Sequence, residues 1–305
     1  MGHMLDQVGK NQYAWIFYNW IYTFHMPLFI LITGYFTNTS HTPKKYFKGV
    51  LNLFSVFILF SILHHIINKN FHFGFNSLIY YTVWTMWYLL TVCYYRIIAY
   101  ITKKYNKKEV MLFFWFIVVL LSGFCPLEGE MSIQRTLAYS LFFFGGLYLR
   151  ENKLMNRLYS TPRIIAITIF VSWVLFLVFK LNGNYTYIIN GKCSYYSWHF
   201  PSLLSVVVRL CFTVLAVSAS ISVVRLLKAN KILTLIGEQS LFIYIYHSFF
   251  IQFFKKLFPD TICSNFTTFI LLSFFVALSL LILYRMKIFK ELLSPIYSVE
   301  RLFKR

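Results

Sequence analysis

The chain has 305 residues, 59% of them hydrophobic, 21% aromatic and only 12% charged, and its mean hydropathy is +0.64. Ordinary soluble domains are less apolar and about twice as charged, so a soluble fold is excluded. The net charge of +20 would suit phosphate-rich partners, but the basic residues are scattered over short loops and form no basic domain, so nucleic acid is not expected as a partner and anionic lipid headgroups are.

Nine apolar stretches of about 20 residues, each able to cross roughly 30 Å of hydrocarbon as a helix, run along the chain. Their limits are 12–36, 47–67, 78–101, 110–126, 131–149, 163–181, 201–227, 232–258 and 266–284. The expected fold is all-α, a polytopic transmembrane bundle forming one membrane domain over 12–284, followed by a basic tail over 285–305.

The first span carries the most informative misfit. His25 stands in the apolar run Phe24-His25-Met26-Pro27-Leu28-Phe29, and an ionisable group inside a membrane helix is costly unless it faces a cavity, a partner or a reaction. Pro27 lacks an N–H and crowds the carbonyl of Thr23, so the helix is expected to kink or loosen beside the imidazole. The structural alternative for His25 is a ring hydrogen-bonded to a neighbouring carbonyl. His64 and His65 end the span 47–67 and are weaker candidates. Gly123 and Pro126 close the short span 110–126, and Glu128 and Glu130 mark the turn beyond it.

Gln134 and Arg135 open the span 131–149 at its outer end, where Arg135 either serves a site or snorkels to headgroups. The loop 182–200 holds Asn182, Asn184, Tyr185, Tyr187, Tyr195, Tyr196, Trp198 and His199, the amides and aromatics of a sugar-contacting lid or of an interfacial belt. Arg209 lies about eight residues, roughly 12 Å, inside the span 201–227, too deep to snorkel easily, and requires a counter-charge or cavity. Arg96 and Lys180, near span ends, read as snorkelling. In the span 232–258, Ser240, Tyr244 and His247 fall at i, i+4 and i+7, one polar stripe expected to face the bundle interior.

Loop charges set the orientation. Twenty of the 29 basic residues lie in one alternate set of loops, including Lys44, Lys45, Lys103, Lys104, Arg150 and the tail, against five in the opposite set. Basic loops are cytoplasmic, which makes this a multi-pass protein of the plasma membrane with its C-terminus inside and, on nine spans, its N-terminus outside. The five cysteines show no spacing suited to a metal.

Four stretches then resemble one family. The run Phe24 to Phe29 continuing to Thr33-Gly34-Tyr35-Phe36 resembles the FHMPLF…SGY signature of the acyltransferase-3 membrane family, close to its fucose 4-O-acetylase-like branch. Met86-Trp87-Tyr88-Leu89-Leu90, Leu141-Phe142-Phe143-Phe144-Gly145-Gly146, and Gly237-Glu238-Gln239-Ser240-Leu241 through Tyr244-Ile245-Tyr246-His247 resemble its later helices in order. The resemblance implies an integral membrane enzyme that moves an acyl group, most often acetyl from acetyl-CoA, onto a hydroxyl of a sugar or other envelope molecule, with acetyl-CoA as co-substrate and no permanently bound cofactor. It also implies ten spans, the first bearing an arginine and a catalytic histidine. Gly2-His3-Met4-Leu5 resembles the end of that motif, so one further apolar helix is expected upstream of residue 1.

Acyl transfer needs a base for a weakly nucleophilic hydroxyl, and histidine suits that task near neutral pH. His3 corresponds to the family's base and His25 is the second catalytic candidate. Donors must also meet the oxyanion in a dry pocket, for which Gln134 and Arg135 are suppliers. Trp87, Arg209, Ser240, Tyr244 and His247 complete the substrate or donor pocket. No glycine-rich phosphate loop is present, leaving CoA's phosphates to cytoplasmic Lys and Arg. Two other readings share these features, a transporter or flippase of lipid-linked glycan and an inactive family member lacking its first helix. Paired discontinuous halves would favour transport, and none is evident.

Overall fold

A computed structural model describes residues 12–67, 76–80, 82, 85–105, 107–180, 184–227, 231–257, 266–286 and 291. Among these the chain is all-helical. The longer helices are α1 (Gln12–Phe36), α2 (Pro43–Ile67), α3 (Trp87–Thr102), α4 (Lys108–Leu121), α5 (Ile133–Glu151), α6 (Arg163–Lys180), α7 (Ser202–Leu226), α8 (Ser240–Leu257) and α9 (Phe266–Leu283). Four meet the length and apolar composition of a membrane span, namely α2, α6, α7 and Trp15–Phe36 of α1.

The remaining helices are shorter or more polar, and their burial explains why. α3 has only 16 residues, yet every side chain from Trp87 to Cys93 is buried, so protein rather than lipid surrounds that part. α5 carries Gln134, Thr136 and Ser140 among its buried residues, side chains a lipid-facing helix would avoid. At the periphery α6 turns Ile164, Ile167, Val171, Leu175 and Phe179 outward, and α9 exposes Leu271, Phe274, Phe275, Leu278 and Ile282. Such continuous apolar surface fits contact with acyl chains.

Two predicted spans differ in detail. The stretch 78–101 is a π-helical turn over Asn76–Tyr80 followed by α3. The stretch 232–258 divides into a short helix, Lys231–Glu238, and α8, separated by a turn at Gln239. Gly237, just before that turn, is a weak helix former with no neighbouring side chain to fix it. Pro27 does not end α1, which continues past it to Phe36.

The centre of the bundle is the α1–α5 pair, held by two reciprocal glycines. A Cβ on Gly34 would sit 1.9 Å from the carbonyl oxygen of Phe143, and one on Gly146 would sit 2.0 Å from that of Leu31. Only hydrogen fits at either position, which lets the two backbones touch as small residues do in membrane helices. Around this contact Tyr95 stacks on Phe143 and Trp115 on Phe144, and the Tyr95 hydroxyl donates to the Thr136 carbonyl at 2.6 Å.

The loops sort into two ends. Residues 37–40, 103–104 and 150–151 line one common cavity, and Arg225 reaches the Thr161 carbonyl. At the other end Glu128 meets the segment 194–197. His64 meets Ser248, and Lys256 reaches the Ile67 carbonyl. This partition puts basic loops together, as the charge pattern requires.

Candidate active site

His3 lies outside the described residues. His25 is half-buried in α1, and its Nδ1 is 2.9 Å from the carbonyl oxygen of Ile21, one turn back. A carbonyl only accepts, so Nδ1 carries the proton and Nε2 the lone pair. The ring meets Tyr22 edge-on at 4.6 Å. His247 of α8 repeats the device, its Nδ1 donating to the carbonyls of Tyr244 at 2.5 Å and Ile243 at 3.1 Å. Both rings are therefore held through Nδ1 on their own helices.

The stripe of α8 faces inward. Tyr244 donates to the carbonyl of Thr85, stacks on Phe29 of α1 at 6.1 Å and meets Tyr88 of α3 at 4.9 Å. Ser240, one turn nearer the basic loops, lines a cavity of about 560 Å³ with Phe29, Thr33, Tyr88, Arg96 and Arg150. The Thr33 and Tyr88 hydroxyls are 2.6 Å apart. Arg96, read from the sequence only as a span-end residue, thus lines this cavity. That role was hidden in the sequence, because depth along a helix does not reveal which face a side chain takes.

Arg150 also borders a second cavity of about 470 Å³, with Lys103, Lys104 and residues Thr37 to Ser40. Its Nη1 donates to the Thr37 carbonyl at 2.8 Å, while neighbouring Glu151 is engaged by Lys108 at 2.6 Å. The excess positive charge is visible at His41, held below its ordinary value by burial and by the charges of Lys45 and Arg150.

At the opposite end Trp87 is buried and stacks on Tyr139 at 5.9 Å. The Arg135 guanidinium lies 4.7 Å from the Trp87 ring centre, within electrostatic range of Tyr22 and Tyr244. The ring against the Arg135 guanidinium is thus Trp87, a residue of the same predicted pocket. Gln134 is fully buried, and its Nε2 donates to the Ser122 carbonyl at 2.9 Å, so part of its donor capacity already ties α5 to the end of α4.

Arg209 is 2% exposed and lies about seven residues, roughly 10 Å, into α7. Its guanidinium sits 4.7 Å from the ring centre of Trp198 and 6.0 Å from that of Tyr195. The Tyr195 hydroxyl is within hydrogen-bonding reach of the guanidinium, but among the described residues Nε and Nη2 have no hydrogen-bond partner, nor has Nε of Arg135. A desolvated cation–π contact contributes about 2 kcal/mol, against several kcal/mol for burying an ion. The rings alone do not balance these charges.

The rings over Arg209 belong to a folded cap. Residues 184–200 form two short helical turns that bury Tyr195 and Trp198 while Tyr196 is 73% exposed. Tyr195 and Trp198 are thus site-facing rather than part of an interfacial belt. Trp198 Nε1 donates to the Tyr187 carbonyl at 3.1 Å, and the Tyr139 hydroxyl to the Ile189 carbonyl at 3.0 Å. Gly191, at φ +64°, passes so close to Tyr139 that a side chain would collide with its ring. Glu128 fastens the cap, its Oε1 accepting from the Ser194 N–H at 2.7 Å, the Ser194 hydroxyl at 2.5 Å and the Ser197 hydroxyl. Burial raises the Glu128 pKa, but these bonds and Lys192 outweigh it and hold the carboxyl below its ordinary value.

A family model described as an acyltransferase domain matches residues 1–285. Comparison with curated proteins and with solved structures gives no match. The match extends over almost the whole helical bundle, and the chain therefore belongs to the acyltransferase-3 family of membrane acyltransferases.

Proposed function

We propose that this acyltransferase moves an acetyl group from acetyl-CoA to a hydroxyl of a cell-surface or lipid-linked glycan in the plasma membrane. The observation that carries this reading is the pair of histidines on α1 and α8, His25 and His247, each anchored through Nδ1 on a carbonyl of its own helix. Histidine so oriented is suited to take a proton from a hydroxyl.

Acetyl-CoA enters from the basic end. Lys103, Lys104 and Arg150 offer charge to its phosphates, and the largely apolar cavity beyond Arg150 has a volume typical of small-molecule sites. Thr33, Tyr88 and Ser240 are the hydroxyls along the way. The acceptor comes from the capped end. As its oxygen attacks the thioester carbonyl, His25 Nε2 takes the hydroxyl proton, sharing that task with His3, and Arg135 steadies the oxyanion. The C–S bond then breaks, and the proton passes to the departing thiolate, giving an O-acetyl ester and CoA. His247 and Tyr244 orient the reacting groups.

Membranes containing the protein should release free CoA from acetyl-CoA when an envelope glycan fraction is added, with acetyl label recovered in ester linkage. CoA release no faster than in control membranes, with or without glycan, would overturn the proposal.

A further inference from the structure

We infer that the capped end binds an anionic group of the acceptor, a phosphate or a carboxylate, held by Arg209. The identification of the ligand as an acceptor rests on the acyltransferase reading. The anion site itself rests on geometry alone.

Two guanidinium groups lie at this end of the bundle, and Tyr139 is within electrostatic range of both. Arg209 is almost fully buried and keeps two of its three nitrogens unpartnered, while Arg135 keeps Nε. Among the described residues neither makes an ion pair. Glu128 does not answer them: the cation that acts on it is Lys192, and its Oε1 takes three hydrogen bonds from the cap. A buried guanidinium with unmet donors is costly, and an oxyanion set against Arg209 supplies both the counter-charge and the missing acceptors. Phosphate and carboxylate match the planar donor fork of arginine. The Trp198 ring lies 4.7 Å from the Arg209 guanidinium and limits where it can move. Neutral glycans need none of this, so the arrangement selects a phosphate-linked or uronic-acid acceptor.

The test is calorimetric titration of the full chain in detergent, without acetyl-CoA, using glucose 1-phosphate, glucuronate, methyl glucoside, inorganic phosphate and phosphatidylglycerol. At least one sugar anion should bind ten-fold or more tightly than methyl glucoside, and added salt should weaken only the anionic probes. Arg209→Gln should abolish the preference and Arg209→Lys should retain part of it. If Arg209→Gln fails to fold, Arg209→Lys alone makes the comparison, and a preference undiminished in it would overturn the inference. Preference for glucose 1-phosphate or for glucuronate identifies which oxyanion the site takes. Equal binding of methyl glucoside, no binding of any sugar anion, survival of the preference in the arginine variants, or occupancy by phosphatidylglycerol that sugar anions do not displace would each overturn the inference. CoA release is measured separately, so anion binding without acetyl transfer would sink the transferase reading and leave the site standing.

Discussion

Glu128 shows how one exposed-looking loop residue sets the state of a whole segment. Its carboxylate collects donors from both serines of the cap, so its folded pKa lies below the unfolded value near 4.5. The sign follows directly. A carboxyl depressed in the folded state contributes stability that is complete above its unfolded pKa and is lost as pH falls through the lower folded value. Protease accessibility of the segment 184–200 should therefore stay constant from neutral pH down to about 5, then rise as the medium becomes more acidic. Glu128→Gln should raise it at neutral pH and flatten that dependence. At this scale the sequence was legible for His25, whose misfit needs no structure to notice, and for the depth of Arg209. It read Arg96 as snorkelling, offered Trp198 only as one aromatic of a lid or a belt and did not single out Tyr139, because their surroundings depend on which neighbours the fold brings against them, and it left Arg135 undecided between lipid and site.

At the level of elements, the motif glycines act in packing. Gly34 and Gly146 belong to two stretches that carry the family resemblance, yet each is where a helix backbone meets the other's carbonyl. Gly34→Ala or Gly146→Ala should push α1 from α5, at a cost of about 1–3 kcal/mol or more by the usual scale of overpacking, and lower the thermal midpoint in detergent. Gly145→Ala is the control: its Cβ would meet only Leu112 Cδ1, at 4.0 Å, so stability should hold or rise slightly through better helix propensity. Long apolar elements such as α2, α6 and α7 were readable by length alone. The break at Gln239 and the short α3 were not, since hydropathy records burial without saying whether lipid or protein supplies it.

The whole molecule has a basic end with a cavity and an opposite end closed by the cap, and the proposed reaction brings the acyl donor in by the first and the acceptor by the second. Cysteine introduced at Asn38 or Lys104, beside the donor cavity, should react with impermeant maleimide only in inverted vesicles. Cysteine at exposed Tyr196 should react only in right-side-out ones, and labelling of all three from the same side would contradict this arrangement. Charge asymmetry made the two ends readable from the sequence, whereas their internal cavities arise from side chains on α1, α3, α5 and α8 that are far apart along the chain. The most direct measurement of the central claim is acceptor-dependent CoA release by His25→Ala beside the unaltered protein, with expression and thermal stability matched. The account predicts a loss of about 100-fold or more, the scale of a missing general base. Turnover unchanged by that substitution would contradict it.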